Sequence, residues 1–70
     1  MPKRYSSTQV ISVLLKNGFT ETGQTGSHRK FRRESRVVIV PHPRKIMPVG
    51  TFNSILRQSG LNLMDFESKH

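Results

Sequence analysis

The sequence predicts an α+β fold, a two-layer sandwich in α-β-β-β-α order, with a three-stranded antiparallel sheet carrying helices on one face. Three observations predict it. Apolar residues recur at helical spacing in two stretches, over residues 10–15 and 52–56. Between these stretches, residues 28–33 alternate in character and residues 37–40 form a β-branched run. Glycines, prolines and a Glu-Ser pair stand at the joins, where turns are needed.

The first helix starts at Ser6, because Gln9 three residues on completes a capping box that satisfies free amides at the helix start. Val10, Ile11, Leu14 and Leu15 then make one apolar stripe. Lys16 suits the negative end of the helix dipole, and Gly18 can take the left-handed conformation that stops the helix. Phe19 is expected to fold back onto the stripe. A first strand follows from about Phe19 to Gln24, and Gly23, Gln24, Thr25 and Gly26 are expected to turn the chain. In the second strand, residues 28–33, a core-facing Phe31 puts Arg29 and Arg33 on its own side and His28, Lys30 and Arg32 together on the other. Glu34 and Ser35 turn the chain into a third strand, Val37 to Val40, ended by Pro41 and assigned mainly to the core.

Pro41-His42-Pro43 is expected to be extended, since residues before proline avoid the helical region. The second helix begins near Pro48 or Val49, with Phe52, Ile55 and Leu56 on its inner face and Gly60 at its end. Asn62 can cap a last short turn carrying Leu63 and Phe66, and the tail 62–70 is read as a short helix or disorder.

Seventy residues are read as a single domain, 1–70, with a thin core. With no cysteine, no disulfide or thiolate metal site can staple it. No apolar run approaches the roughly 18 residues of a membrane span. The apolar stretch ending at Leu15 lacks a small-residue cleavage site, so a cytoplasmic protein is expected. Twelve Lys and Arg against four Asp and Glu give a formal net charge of +8, which favours a polyanionic partner such as nucleic acid. A ribosome-associated or merely well-solvated basic protein is the plainer reading of the same charge. Arg29, Lys30, Arg32, Arg33, Arg36, Arg44 and Lys45 lie between His28 and Ile46 with Glu34 the only acid among them, so the middle of the chain is the expected anion-facing surface.

The segment Gly26-Ser27-His28-Arg29-Lys30-Phe31 is where chemistry could reside. A glycine turn lets backbone approach a phosphate, and Ser27 adds a hydroxyl donor. A histidine exchanges protons near neutrality, as RNA cleavage requires of the 2′-hydroxyl and the departing 5′-oxygen. Arg29, Lys30 and Arg32 could stabilise charge developing on the phosphate. On these residues alone, a phosphate-contacting or bystander histidine is the commoner case. His42, between two prolines, reads as an ordered loop residue hydrogen-bonded to backbone, with a second proton-transfer role beside His28 as the alternative. His70 is terminal and expected to be disordered. Glu21, Glu34, Asp65 and Glu67 are too few and too dispersed for a two-metal nuclease centre, so no metal is expected. Neither a hydrolytic triad nor a Walker-type phosphate loop is present.

Two stretches together resemble the HicA toxin family, also catalogued as YcfA-like proteins. The first runs Lys16-Asn17-Gly18-Phe19, then Gln24-Thr25-Gly26-Ser27-His28-Arg29-Lys30-Phe31. The second runs Val40-Pro41-His42-Pro43-Arg44-Lys45, then Pro48-Val49-Gly50-Thr51, and finishes Ile55-Leu56-Arg57-Gln58-Ser59-Gly60-Leu61. The resemblance implies a fold similar to a double-stranded-RNA-binding domain. It also implies a ribosome-independent mRNA interferase, an endoribonuclease whose catalytic histidine corresponds to His28. No cofactor is implied. The expected partners are mRNA and a HicB-type antitoxin encoded alongside, which covers the active face. Contact with DNA would be indirect, through the antitoxin's own DNA-binding domain.

The chain departs from the family at Gly23, where many members carry an arginine or another large residue before the glutamine. That departure leaves the histidine motif intact but loosens the strand edge beside it. Joining resemblance and residues, the expected site is His28 as catalytic residue with Gly26, Ser27, Arg29, Lys30, Arg32, Arg44 and Lys45 contacting RNA. A non-catalytic RNA-binding module of the double-stranded-RNA-binding type is the alternative. A DNA-binding accessory protein finds little support, because the cations lie on strands and loops rather than on a groove-reading helix.

Overall fold

Helix α1 (Ser7–Lys16) begins as its capping box dictates: the Ser6 hydroxyl accepts the Gln9 N–H at 3.1 Å, and the Gln9 side chain accepts the Ser6 N–H at 2.9 Å. A computed structural model describes residues 4–67; His70 and the end of the predicted tail lie outside them. The buried face of α1 is Ser7, Val10, Ile11 and Leu14. Leu15, expected in the stripe, instead projects outward, because it lies beyond the arc that Ser7, Val10, Ile11 and Leu14 already fill against the sheet. Asn17 caps the helix, Gly18 follows with a left-handed φ of 90°, and Phe19 folds back to bury its ring.

Strands β1 (Thr20–Thr25), β2 (His28–Arg33) and β3 (Arg36–Pro41) form an antiparallel sheet in the order β1-β2-β3. The first turn is tighter than expected. Only Gly26 and Ser27 lie between the strands, with Gly26 left-handed at φ 57°, so β1 runs on to Thr25. A bulge between Glu21 and Gly23 absorbs the extra residue: Glu21 pairs with Phe31, and Gly23 with Lys30. The second turn is at Glu34 and Ser35, where Glu34 itself takes φ 55°.

The β3 assignment needs correcting. Val38 and Val40 are fully buried, but Val37 is 39% exposed and Ile39 only half-buried. Period-2 alternation sends a continuous apolar run to both faces of a sheet covered on one. Phe31, Val38 and Val40 therefore form the inner face, and α1 and α2 (Val49–Ser59) pack over it, completing the α+β order.

Helix α2 starts after Pro48 and ends at Gly60, left-handed at φ 73°. Its C-terminal carbonyls, Arg57 O and Gln58 O, accept from the Arg36 guanidinium of β3 at 3.5 and 3.3 Å. The Gln58 side chain reaches the outer edge of β3 and accepts the Ile39 N–H at 3.1 Å. Helix α3 (Leu63–Glu67) opens with a reciprocal pair, Asp65 N–H to Asn62 Oδ1 and Asn62 N–H to Asp65 Oδ2. It buries Phe66 edge-on against Phe52, at 5.0 Å between ring centroids, with Tyr5 stacked on Phe52 at 5.3 Å. Among the described residues, no helix is long and apolar enough to cross a membrane.

The loop between β3 and α2 is tied down along its length. Ser7 N–H donates to Arg44 O at 2.9 Å, Met47 N–H to Tyr5 O at 2.7 Å, and the Met47 side chain is buried. Its first peptide, His42-Pro43, is cis.

Candidate nucleic-acid interface

The uncovered face of the sheet carries the candidate site. His28 opens β2 immediately after the Gly26–Ser27 turn and is exposed, and Lys30 and Arg32 follow on the same face, both exposed. Across the sheet, Arg32 pairs with Val37, Lys30 with Ile39 and His28 with Pro41. On the other side, Thr25 pairs with His28 and Gly23 with Lys30. All of these paired residues but Pro41 floor a shallow groove of about 430 Å³, whose lining includes His28, Lys30, Arg32, Val37 and Ile39 and no carboxylate. An anion approaching this groove meets positive charge without a competing acid.

The basic cluster of the sequence divides between the two faces. Arg29 points to the helix side, where its Nε and a terminal guanidinium nitrogen hold both Glu21 carboxylate oxygens at 2.7 and 2.6 Å. Its guanidinium also lies 5.8 Å from the Phe31 ring centre. The hydrogen-bonded Arg29 holds the Glu21 carboxyl below the usual carboxylate range, against partial desolvation that pushes the other way. Arg33 donates to Asn17 O at 2.6 Å and stacks over Phe19 at 4.7 Å. Arg36 sits at the end of α2. Of the expected cations, then, Lys30 and Arg32 share the face with His28, while Arg29 is engaged on the other side.

Gly26, Ser27 and the loop bearing Arg44 and Lys45 meet at one end of the sheet. The loop leaves β3 at Pro41, the cross-strand partner of His28, and His42 N–H donates to Ser27 O at 2.6 Å. Arg44 and Lys45 are both exposed in this loop.

His42 is held to backbone through its own N–H, as the plainer reading of it expects, and its ring finds a further partner. Its imidazole Nδ1 lies 2.8 Å from Ser7 Oγ, so its side-chain partner is a hydroxyl on α1 rather than backbone. The same Ser7 oxygen accepts the Arg44 N–H at 2.9 Å. The ring is directed toward the helix layer and does not line the groove with His28. No set of three or more His, Cys, Asp or Glu side chains able to hold a metal occurs among the described residues.

The family model described as HicA toxin of bacterial toxin-antitoxin matches residues 7–61. The chain belongs to the HicA toxin family. The match runs from the first residue of α1 to just beyond Gly60 and so includes the whole sheet, the Gly26–Ser27 turn and the β3–α2 loop. Membership gives this HicA-family chain a toxin role within a toxin–antitoxin system. No curated protein sequence matches it. Its Gly23 sits at the bulge on the groove side, and an added Cβ there would meet nothing within 4 Å. Sterics therefore do not demand glycine at that point, and its absence of a side chain leaves the groove wider beside Lys30.

Proposed function

We propose that this HicA-family toxin is a cytoplasmic endoribonuclease that cleaves mRNA without the ribosome, by metal-independent acid–base chemistry at His28, and that a HicB-type antitoxin neutralises it. One observation carries the reading: His28 stands exposed at the head of a row of cations on an open sheet face, beside a two-residue turn whose backbone a phosphate can approach.

In this scheme the His28 imidazole takes the proton from a ribose 2′-hydroxyl. The 2′-oxygen attacks the adjacent phosphorus, and the bond to the 5′-oxygen breaks. Lys30 and Arg32 stabilise the charge gathering on the non-bridging oxygens. With the His42 ring engaged by Ser7, the proton for the departing 5′-oxygen is assigned to the face itself, where Lys30 is the protic group two residues along β2. Products are a 2′,3′-cyclic phosphate and a 5′-hydroxyl. Gly26, Ser27, Arg44 and Lys45 hold phosphates flanking the scissile one. Arg29 acts indirectly, stiffening β2 through Glu21.

The test is cleavage of an mRNA by the purified chain in excess EDTA, with end-group analysis, beside His28→Ala. Wild type is expected to leave cyclic phosphates and 5′-hydroxyls. The variant is expected to be inactive yet equally stable, because an exposed side chain contributes little to folding. RNA binding retained by an inactive His28→Ala separates catalysis from mere binding. A folded His28→Ala that still cleaves, or 5′-phosphate ends, would overturn the mechanism.

A further inference from the structure

On the open face, each cation of β2 stands directly opposite an apolar residue of β3: Lys30 faces Ile39, Arg32 faces Val37, and His28 itself faces Pro41. Directly opposed side chains in an antiparallel pair lie about 5 Å apart at Cβ. Successive members of each row are about 6.6 Å apart, two residues of strand rise. The result is two parallel stripes, one cationic and one apolar. Helices α1 and α2 cover the opposite face, so nothing in the described chain covers Val37, which is 39% exposed.

We infer that Val37 and Ile39 are a nucleobase-contact strip, so that the face takes a single-stranded RNA segment with its phosphates along β2 and its bases across β3. The inference rests on the proposal that this face binds RNA, and it specifies the strandedness and the residues that touch bases. A duplex does not match the two stripes. In an A-form helix the bases are stacked inside, and a sheet face meets phosphates and 2′-hydroxyls. Val37 and Ile39 would then desolvate polar backbone without compensation. An unpaired strand offers what the stripes require, a charged edge and an adjacent apolar face, repeating along its length. The strip contacts base faces and edges without hydrogen-bonding groups, so it favours unpaired bases over paired ones more than it distinguishes among the four.

The experiment uses the full chain carrying His28→Ala, so that RNA survives the measurement. Its affinity is measured for a fluorescently labelled single-stranded RNA of mixed sequence and for the corresponding blunt duplex, across a salt series. Single strand is expected to bind about tenfold more tightly than duplex. Val37→Thr with Ile39→Thr, which keep the β-branched shape, should weaken single-strand binding several-fold and leave the salt slope unchanged. Val37→Tyr should tighten it by about fivefold, by adding a ring on which a base can stack. That gain cannot arise from misfolding. Lys30→Ala should instead flatten the dependence of log K on log salt by about 0.7, one phosphate contact to a single strand.

Equal or tighter duplex binding, or threonine and tyrosine variants with wild-type affinity, would overturn the strip. Threonine variants that weaken only the complex with the antitoxin would overturn it too, and assign Val37 and Ile39 to the protein partner. Failure of the underlying RNA reading looks different: neither RNA binds, and Lys30→Ala leaves no trace in the salt slope.

Discussion

Replacing Ser7 by alanine should loosen the β3–α2 loop and the turn that carries His28, although Ser7 lies on the far side of the sheet from the groove. Ser7 is 1% exposed, and its hydroxyl lies 3.3 Å from Arg44 O as well as meeting two further partners. It accepts the Arg44 N–H at 2.9 Å, and its oxygen lies 2.8 Å from His42 Nδ1. Alanine leaves the Arg44 amide with no acceptor in a part-buried setting, which costs about 1–3 kcal/mol. Removing the hydroxyl also relieves its own desolvation, so a net loss near 2 kcal/mol is expected. Chains of this length are stable by about 4–10 kcal/mol in total, so the change is large. In thermal unfolding it corresponds to a fall in Tm of about 8–16 °C. Native-state hydrogen exchange locates the effect: the Arg44 and His42 amides should lose protection, while those of Val10 and Leu14 should change only with global stability. A loss below about 0.5 kcal/mol, with the Arg44 amide as protected as before, would refute the reasoning. It would mean that the backbone bonds from Ser7 to Arg44 and from Met47 to Tyr5 hold the loop unaided.

Three further outcomes follow from the structure. Gly60→Ala should cost about 1–2 kcal/mol in urea unfolding, since φ 73° is unfavourable for alanine and the added Cβ would lie 2.6 Å from the Arg36 guanidinium, which must leave the end of α2. Glu21, whose folded pKa is depressed by Arg29, contributes stability that is present above its ordinary value of 4.5 and lost as pH falls through the folded value; Glu21→Gln should therefore flatten the acid side of a stability–pH profile measured by urea midpoint. If the antitoxin covers the groove, its binding should shift the His28 imidazole NMR signal and its association should slow as salt rises, while an unshifted signal would place it elsewhere.

What could be read from the sequence was local or periodic. Ser6 and Gln9 are three residues apart, so the capping box is written in the chain, and Gly18 and Gly60 mark helix ends by a conformation few other residues adopt. Alternation from His28 to Arg33 placed His28, Lys30 and Arg32 together, which the open face shows. The same rule applied to residues 37–40 points to Val37 and Ile39 on that face; their uniform apolarity hid it, because a β-branched run looks like core throughout. The position of the first turn was obscured by the bulge, where a skipped pairing partner at residue 22 leaves no compositional trace. The Glu21–Arg29 pair and the Ser7–His42 contact join residues 8 and 35 positions apart, and only the packed arrangement of sheet and helix brings them together.

The glutamine amide at the rim of β3 has a consequence for how the toxin behaves when alone and abundant. Gln58 occupies the outward N–H of Ile39, which would otherwise offer a ladder position to an incoming chain. Strand addition by another molecule is thereby steered to the opposite rim, along β1, where the bulge between Glu21 and Gly23 interrupts any regular ladder. A regular ladder is thus interrupted at one position on each rim, by a side chain on β3 and by backbone irregularity on β1, while the broad face between them is left uncovered by the described residues.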